Sequence, residues 1–154
     1  MPVIHALVRG LTIIGDVLKH PTLLFMRVFW GVAFFYAGWG KFQNIDSVIN
    51  FFSSIDIPFP IFSAYLVAFC ETFGGILLVI GLASRIAAVP LIIIMIVAYI
   101  TAHYGVITSF LQNPQEFVDE KAFLFLLTAV LVLCFGPGVF SLDAIIKHFK
   151  LERR

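Results

Sequence analysis

The sequence predicts an all-α integral membrane protein: a four-transmembrane-helix bundle with interfacial amphipathic helices at the N- and C-termini. Two observations carry this. Of 154 residues, 61% are hydrophobic and only 12% are charged, a balance outside the range of soluble domains. Four apolar stretches, approximately 22–42, 61–81, 86–107 and 121–140, are each about 20 residues long, enough to cross a hydrocarbon core of roughly 30 Å. The chain therefore reads as a single membrane domain over 1–154.

Residues 1–20 lack the unbroken apolar core and small-residue cleavage site of a signal peptide. At helical spacing His5, Arg9, Thr12, Asp16 and Lys19 share one face, opposite Ile4, Leu7, Leu11, Ile14 and Leu18, the pattern of a helix lying in the interface. Between the first two spans, Ile45, Val48, Ile49 and Phe52 predict a short surface helix, and Pro58 and Pro60 a rigid turn after it. After the fourth span, Gly136-Pro137-Gly138 should end the helix, and Ser141 can cap a new one with Asp143 in its first turn. Residues 141–154 then form the tail.

Charge sets the orientation. Arg9 and Lys19, Arg85 in the turn between spans two and three, and Lys147, Lys150, Arg153 and Arg154 all fall on one side. The opposite loops hold Asp46, Asp56, Glu116, Asp119 and Glu120. The positive-inside rule places both termini in the cytoplasm, and the compact four-span form suits a bacterial inner (plasma) membrane. The bases are scattered and the net charge is +1, so nucleic acid is excluded as a partner.

Polar residues inside the spans are the candidate site residues, because a charge in hydrocarbon is expensive unless paired or used. Glu71 shares a face of span two with Ala64, Ala68 and Gly75, and on span one Arg27, Gly31, Phe34, Gly38 and Lys41 align. Small faces are where helices approach closely. Span three aligns Ile92, Ile96, Tyr99 and His103; span four aligns Lys121, Leu124, Thr128 and Phe135. Counting depth at 1.5 Å per residue, an Arg27–Glu71 ion pair is expected, with Lys41, Tyr99, His103 and Lys121 forming a second, outer polar cluster. Each has a plainer alternative. Arg27 and Glu71 either lock the bundle or also serve a ligand; His103 can be an interfacial anchor, and Lys41 and Lys121 can snorkel outward.

No metal site is expected, since no His, Cys or carboxylate spacing matches a ligand set. Cys70 and Cys134 stand singly in apolar runs and read as inert packing residues. Trp30, Trp39 and Phe42 would make natural walls for a planar ring.

The order RVFWGVAFFYAGWGKF, IPFP, CETFGGILLVIGLASRIAA, ITAHYG and FGPGVFSLD resembles the DoxX family of small four-span membrane proteins. The resemblance covers approximately residues 23–147 and rests on the joint order of weak motifs: arginine and GxxK in span one, ExxGGxxLxxGLxxR in span two, a terminal histidine in span three, and GPGxxSLD. The amphipathic N-terminal segment is longer than the family pattern. The family takes its name from small membrane subunits of a thiosulfate:quinone oxidoreductase, and other members resemble accessory partners of redox enzymes. Its polar motif falls here on Arg27, Lys41, Glu71, Arg85 and His103.

Three functions follow as expectations. The first is a membrane subunit of a quinone-linked redox system, with a quinone as the candidate cofactor and a redox-enzyme subunit as partner; enzyme status stays open. The second is a non-enzymatic adaptor or assembly partner, for which the small faces also allow a homo-oligomer. The third is a small proton-linked transporter, against which stands the lack of broken helices in matched halves.

Overall fold

The structure is a computed structural model and describes residues 2–152. All its regular elements are helices: α1 (Pro2–Gln43), α2 (Ile45–Ser54), α3 (Pro60–Ile80), α4 (Ser84–Thr101), α5 (Tyr104–Thr108), α6 (Pro114–Asp119), α7 (Lys121–Phe135) and α8 (Leu142–Glu152). The ends of the expected N-terminal helix and tail, Met1, Arg153 and Arg154, lie outside the described residues.

Among the described residues, three stretches are long and apolar enough to cross a membrane: Leu7–Gln43 within α1, all of α3, and all of α4. The chain is an integral membrane helical protein. Helix α7 is apolar but has only 15 residues, about 22 Å at 1.5 Å per residue. It packs against α4 and α1, while α3 packs against α1 and α4, so the apolar helices close into a ring. Phe34, Leu78, Leu91, Met95, Ala129 and Val132 fill its centre.

The α1–α3 contact shows why the small residues stand where they do. A Cβ on Gly75 would lie 2.6 Å from Gly31 O and from Phe35 N, and one on Gly38 would lie 2.5 Å from Thr72 N. No side chain fits at these crossings. The backbones touch, and the register is fixed: Gly31 faces Gly75 and Val79, Gly38 faces Ala68 and Thr72, and Arg27 lies beside Gly81.

Several expected boundaries shift. The N-terminal amphipathic segment is not a separate helix but runs unbroken through Pro21 into the first span, making α1 42 residues long, about 63 Å. Proline removes one backbone donor, and neighbouring groups can re-satisfy the freed carbonyl. The third span stops at Thr101, and α5 restarts at Tyr104. The stretch expected as a fourth span is helical only to Phe135 rather than Phe140, because Gly136 and Gly138 take positive φ (75° and 77°) and unwind the chain. The helix expected between spans one and two is present as α2, packed on α3.

Two wheel faces are also narrower than expected. Ile96, Leu124 and Phe135 are exposed on the outside of the bundle, leaving Ile92, Tyr99 and Thr128 as inward members. A face drawn at 100° per residue is wider than the strip a neighbouring helix covers.

Candidate functional site

Glu71 lies on the inner flank of α3, with a side chain only 3% exposed. Its partner is Lys41, whose Nζ donates to Glu71 Oε2. The expected Arg27–Glu71 pair does not form. The reason is side-chain direction combined with register. In a helix the Cα–Cβ bonds tilt toward the N-terminus, so on α1 both Arg27 and Lys41 lean toward the α8 end of the bundle. On the antiparallel α3, Glu71 leans the other way. Lys41, one turn farther out on α1 than the level of Glu71, therefore leans into it. Arg27, roughly 15 Å away along the axis at 1.5 Å per residue, leans away.

Arg27 instead closes the α8 end. It is 2% exposed; Nη1 donates to Pro137 O and Nη2 to Phe140 O at 2.6 Å, holding the unwound segment after α7. Asp143 continues the junction. Its Oδ1 accepts from Ala83 N at 2.9 Å and its Oδ2 from Ser84 N at 3.3 Å, capping α4, while its own N–H donates to Gly81 O at 3.0 Å. Ser141 caps α8 through Ala144 N at 3.1 Å. Arg85 lies over Gly136, where a Cβ would come within 3.2 Å of its Nε, and its Nη2 donates to Cys134 O at 3.4 Å. Arg27 of the span-one motif, Arg85 of the span-two motif, and Ser141 and Asp143 of the motif after span four thus meet in one structural joint, from which Glu71 is absent.

The expected outer cluster divides. Lys41 belongs with Glu71. At the opposite end from α8, Tyr99 Oη donates to Phe117 O at 2.8 Å and its ring stacks on Phe117 with centroids 4.6 Å apart. His103 Nδ1 stands 3.2 Å from Glu120 Oε1, tying the end of α4 to the start of α7. His103 and Glu120 line a pocket of about 570 Å³ together with Val106, Glu116, Asp119, Lys121 and Ala122. Glu120 and Phe117 were missed by sequence reasoning because they lie in a polar connection with no helical period.

The aromatic residues are placed unevenly. Trp30 packs edge-on against Phe125 with centroids 5.2 Å apart, toward the interior, whereas Trp39 is exposed and stacks on Phe35. Cys70 and Cys134 are free thiols, half-buried and exposed respectively. Among the described residues no group of His, Cys, Asp and Glu is placed to hold a metal ion. The chemistry on offer is a buried carboxylate–ammonium pair: a hydrogen-bond donor and an acceptor side by side in an apolar interior.

The DoxX family profile matches residues 22–104, more than half of the chain. The chain belongs to the DoxX family. The segment that identifies it as DoxX contains Arg27, Lys41, Glu71, Tyr99 and His103, and ends before the partners that α7 and α8 supply. Among similar proteins, this DoxX chain is 37% identical over 120 residues to "Putative oxidoreductase CatD" of Bacillus subtilis, covering 78% of this chain and 83% of that one. "Inner membrane protein YphA" of Escherichia coli is 30% identical over 126 residues, covering 79% of this chain and 87% of that one. "Inner membrane protein YqjF" of the same organism is 27% identical over 130 residues, with 80% and 91% covered. No solved structure matches the chain.

Proposed function

We propose that this DoxX protein is a four-span inner-membrane subunit of a quinone-linked redox system, with both termini in the cytoplasm. The observation that carries the reading is the Lys41–Glu71 pair, two opposite charges set inside an apolar ring of helices. Such a pair contributes little net stability once desolvation is counted, and intramembrane ions mark functional sites by default. An ammonium beside a carboxylate can donate to one oxygen of a quinone ring and pass it a proton as it is reduced. The electrons would come from a redox partner subunit, and this chain would hold the ring and manage its protons.

The relative named as an oxidoreductase and those named as inner membrane proteins support this reading. The fourth span would be α7 together with the extended segment that Arg27 holds. The basic residues Arg85 and Lys147 fall at the α8 end and Glu116, Asp119 and Glu120 at the other, the arrangement that the positive-inside rule reads as cytoplasmic α8. Helix α8 would lie at the membrane interface, where its exposed Ile145 and Ile146 meet lipid, and the exposed Leu7, Leu11 and Ile14 give the first half of the unbroken α1 an apolar surface of its own.

Equilibrium binding of a ubiquinone or menaquinone analogue to the detergent-purified protein, with any co-purified subunit, tests the proposal. Binding by the wild type that weakens in Glu71→Gln is expected. Absence of binding by both forms would overturn it.

A further inference from the structure

The two ends of the bundle differ in how they close, and the difference bears on the ion pair between them. At the α8 end the interior is sealed in layers. Phe34 and Leu78, fully buried, fill the space just below the level of Glu71. Beneath them Arg27 is locked to Pro137 O and Phe140 O, with Gly81, Ser84 and Ser141 buried around it, and Asp143 closes the α3–α4 turn.

The other end is closed less completely, although α2 packs on α3 there. Lys41, in the last turn of α1 at this end, leaves 28% of its side chain accessible while Glu71 beneath it leaves 3%, so the pair is reached from this end through Lys41. The levels of the helices order the polar side chains at this end. Gly74 packs on Leu91, and Glu71 is one turn outward from Gly74. One to two turns farther out on α4 stands Tyr99, and beyond it His103, which with Glu120 lines the pocket of about 570 Å³. Lys41, Tyr99 and His103 all stand on the outward side of Glu71, whereas between Glu71 and Arg27 neither α1 nor α3 carries a charged side chain.

We infer that the Lys41–Glu71 pair exchanges protons and polar ligand groups with the α5–α6 side of the membrane alone. The ligand part rests on the quinone reading; the sided access does not. For a redox subunit this means that protons taken up or released at the pair are drawn from one compartment, so quinone turnover there is one-sided.

The unaltered protein carries its own reporters. Sealed membrane vesicles of both orientations are treated with a membrane-impermeant N-hydroxysuccinimide ester, and lysine acylation is read by mass spectrometry. Lys121 reports the α5–α6 side and Lys147 the α8 side, since both are exposed. Lys41 is expected to be acylated from the side that labels Lys121, with loss of labelling from the side that labels Lys147. Labelling of Lys41 from the Lys147 side, from both sides equally, or from neither overturns the inference. A protein that binds no quinone analogue, but whose Lys41 follows Lys121, overturns only the reading of the ligand.

Discussion

Lys41 of α1 donates to Glu71 of α3 across the contact where Gly38 lies against Ala68 and Thr72. The close approach and the ion pair depend on each other: without the glycine the helices stand farther apart, and without the pair the approach leaves a charge in apolar surroundings.

That dependence gives the first prediction. Lys41→Met leaves the Glu71 carboxylate buried and unpartnered, and should cost about 3–5 kcal/mol. The Lys41→Met/Glu71→Gln double variant should recover much of this. Thermal unfolding in detergent measures it; strict additivity of the two single losses would show that the groups do not interact.

Glycine substitutions should divide by position. Gly38→Ala and Gly75→Ala force Cβ atoms to within 2.5 Å of Thr72 N and 2.6 Å of Gly31 O, and overpacking of this kind costs about 1–3 kcal/mol. Gly40→Ala meets nothing within 4 Å and should be neutral or stabilising by up to about 1 kcal/mol, the helix preference of alanine over glycine. Melting temperatures in one detergent rank them, and equal effects at Gly38 and Gly40 would contradict the packing described.

The joint at the α8 end predicts that Arg27→Lys is not conservative. A guanidinium fork serves Pro137 O and Phe140 O together, and an ammonium lacks that geometry. Each buried carbonyl left unpaired costs about 1–3 kcal/mol. Asp143→Ala should cost less, about 0.5–2 kcal/mol for a lost helix cap. Limited proteolysis should show α8 released first in both variants; a tail as protected as in wild type would argue against the joint.

At the opposite end Tyr99→Phe removes one hydrogen bond to Phe117 O but keeps the stacked rings, so a loss of only about 0.5–1.5 kcal/mol is expected. Hydrogen exchange over α6 should rise while α3 stays protected. Faster exchange throughout the bundle would mean that Tyr99 holds more than its local contact.

How much of this was legible in the sequence depended on the range of the interaction. The α1–α3 contact could be read because glycines and small residues recur at helical spacing on both partners, and α3 began and ended within a residue of the expected span. The polar residues of both charged networks were singled out too, since charges in apolar runs stand out. Their pairing was misread. Depth counted at Cα positions made Arg27 reach Glu71, whereas the tilt of Cβ toward each helix N-terminus turns Arg27 away and Lys41 inward. Asp143 was expected in the first turn of α8 and stands there, but its capping of α4 was not foreseen. That contact depends on how the segment after Gly136 folds back under the bundle, and no periodicity records it. The separation of residues 1–20 from the span starting at 22 was also misread, since α1 runs through Pro21 without a break.

The central claim is that the Lys41–Glu71 pair serves a ligand rather than only pinning two helices. It is tested most directly by measuring quinone-analogue affinity for the wild type and for the Lys41→Gln/Glu71→Gln double variant, which keeps polar side chains of similar size and removes both charges. The account predicts that the double variant stays folded by thermal unfolding while its affinity falls by about tenfold or more, some 1.4 kcal/mol. A folded double variant that binds as tightly as the wild type would contradict it.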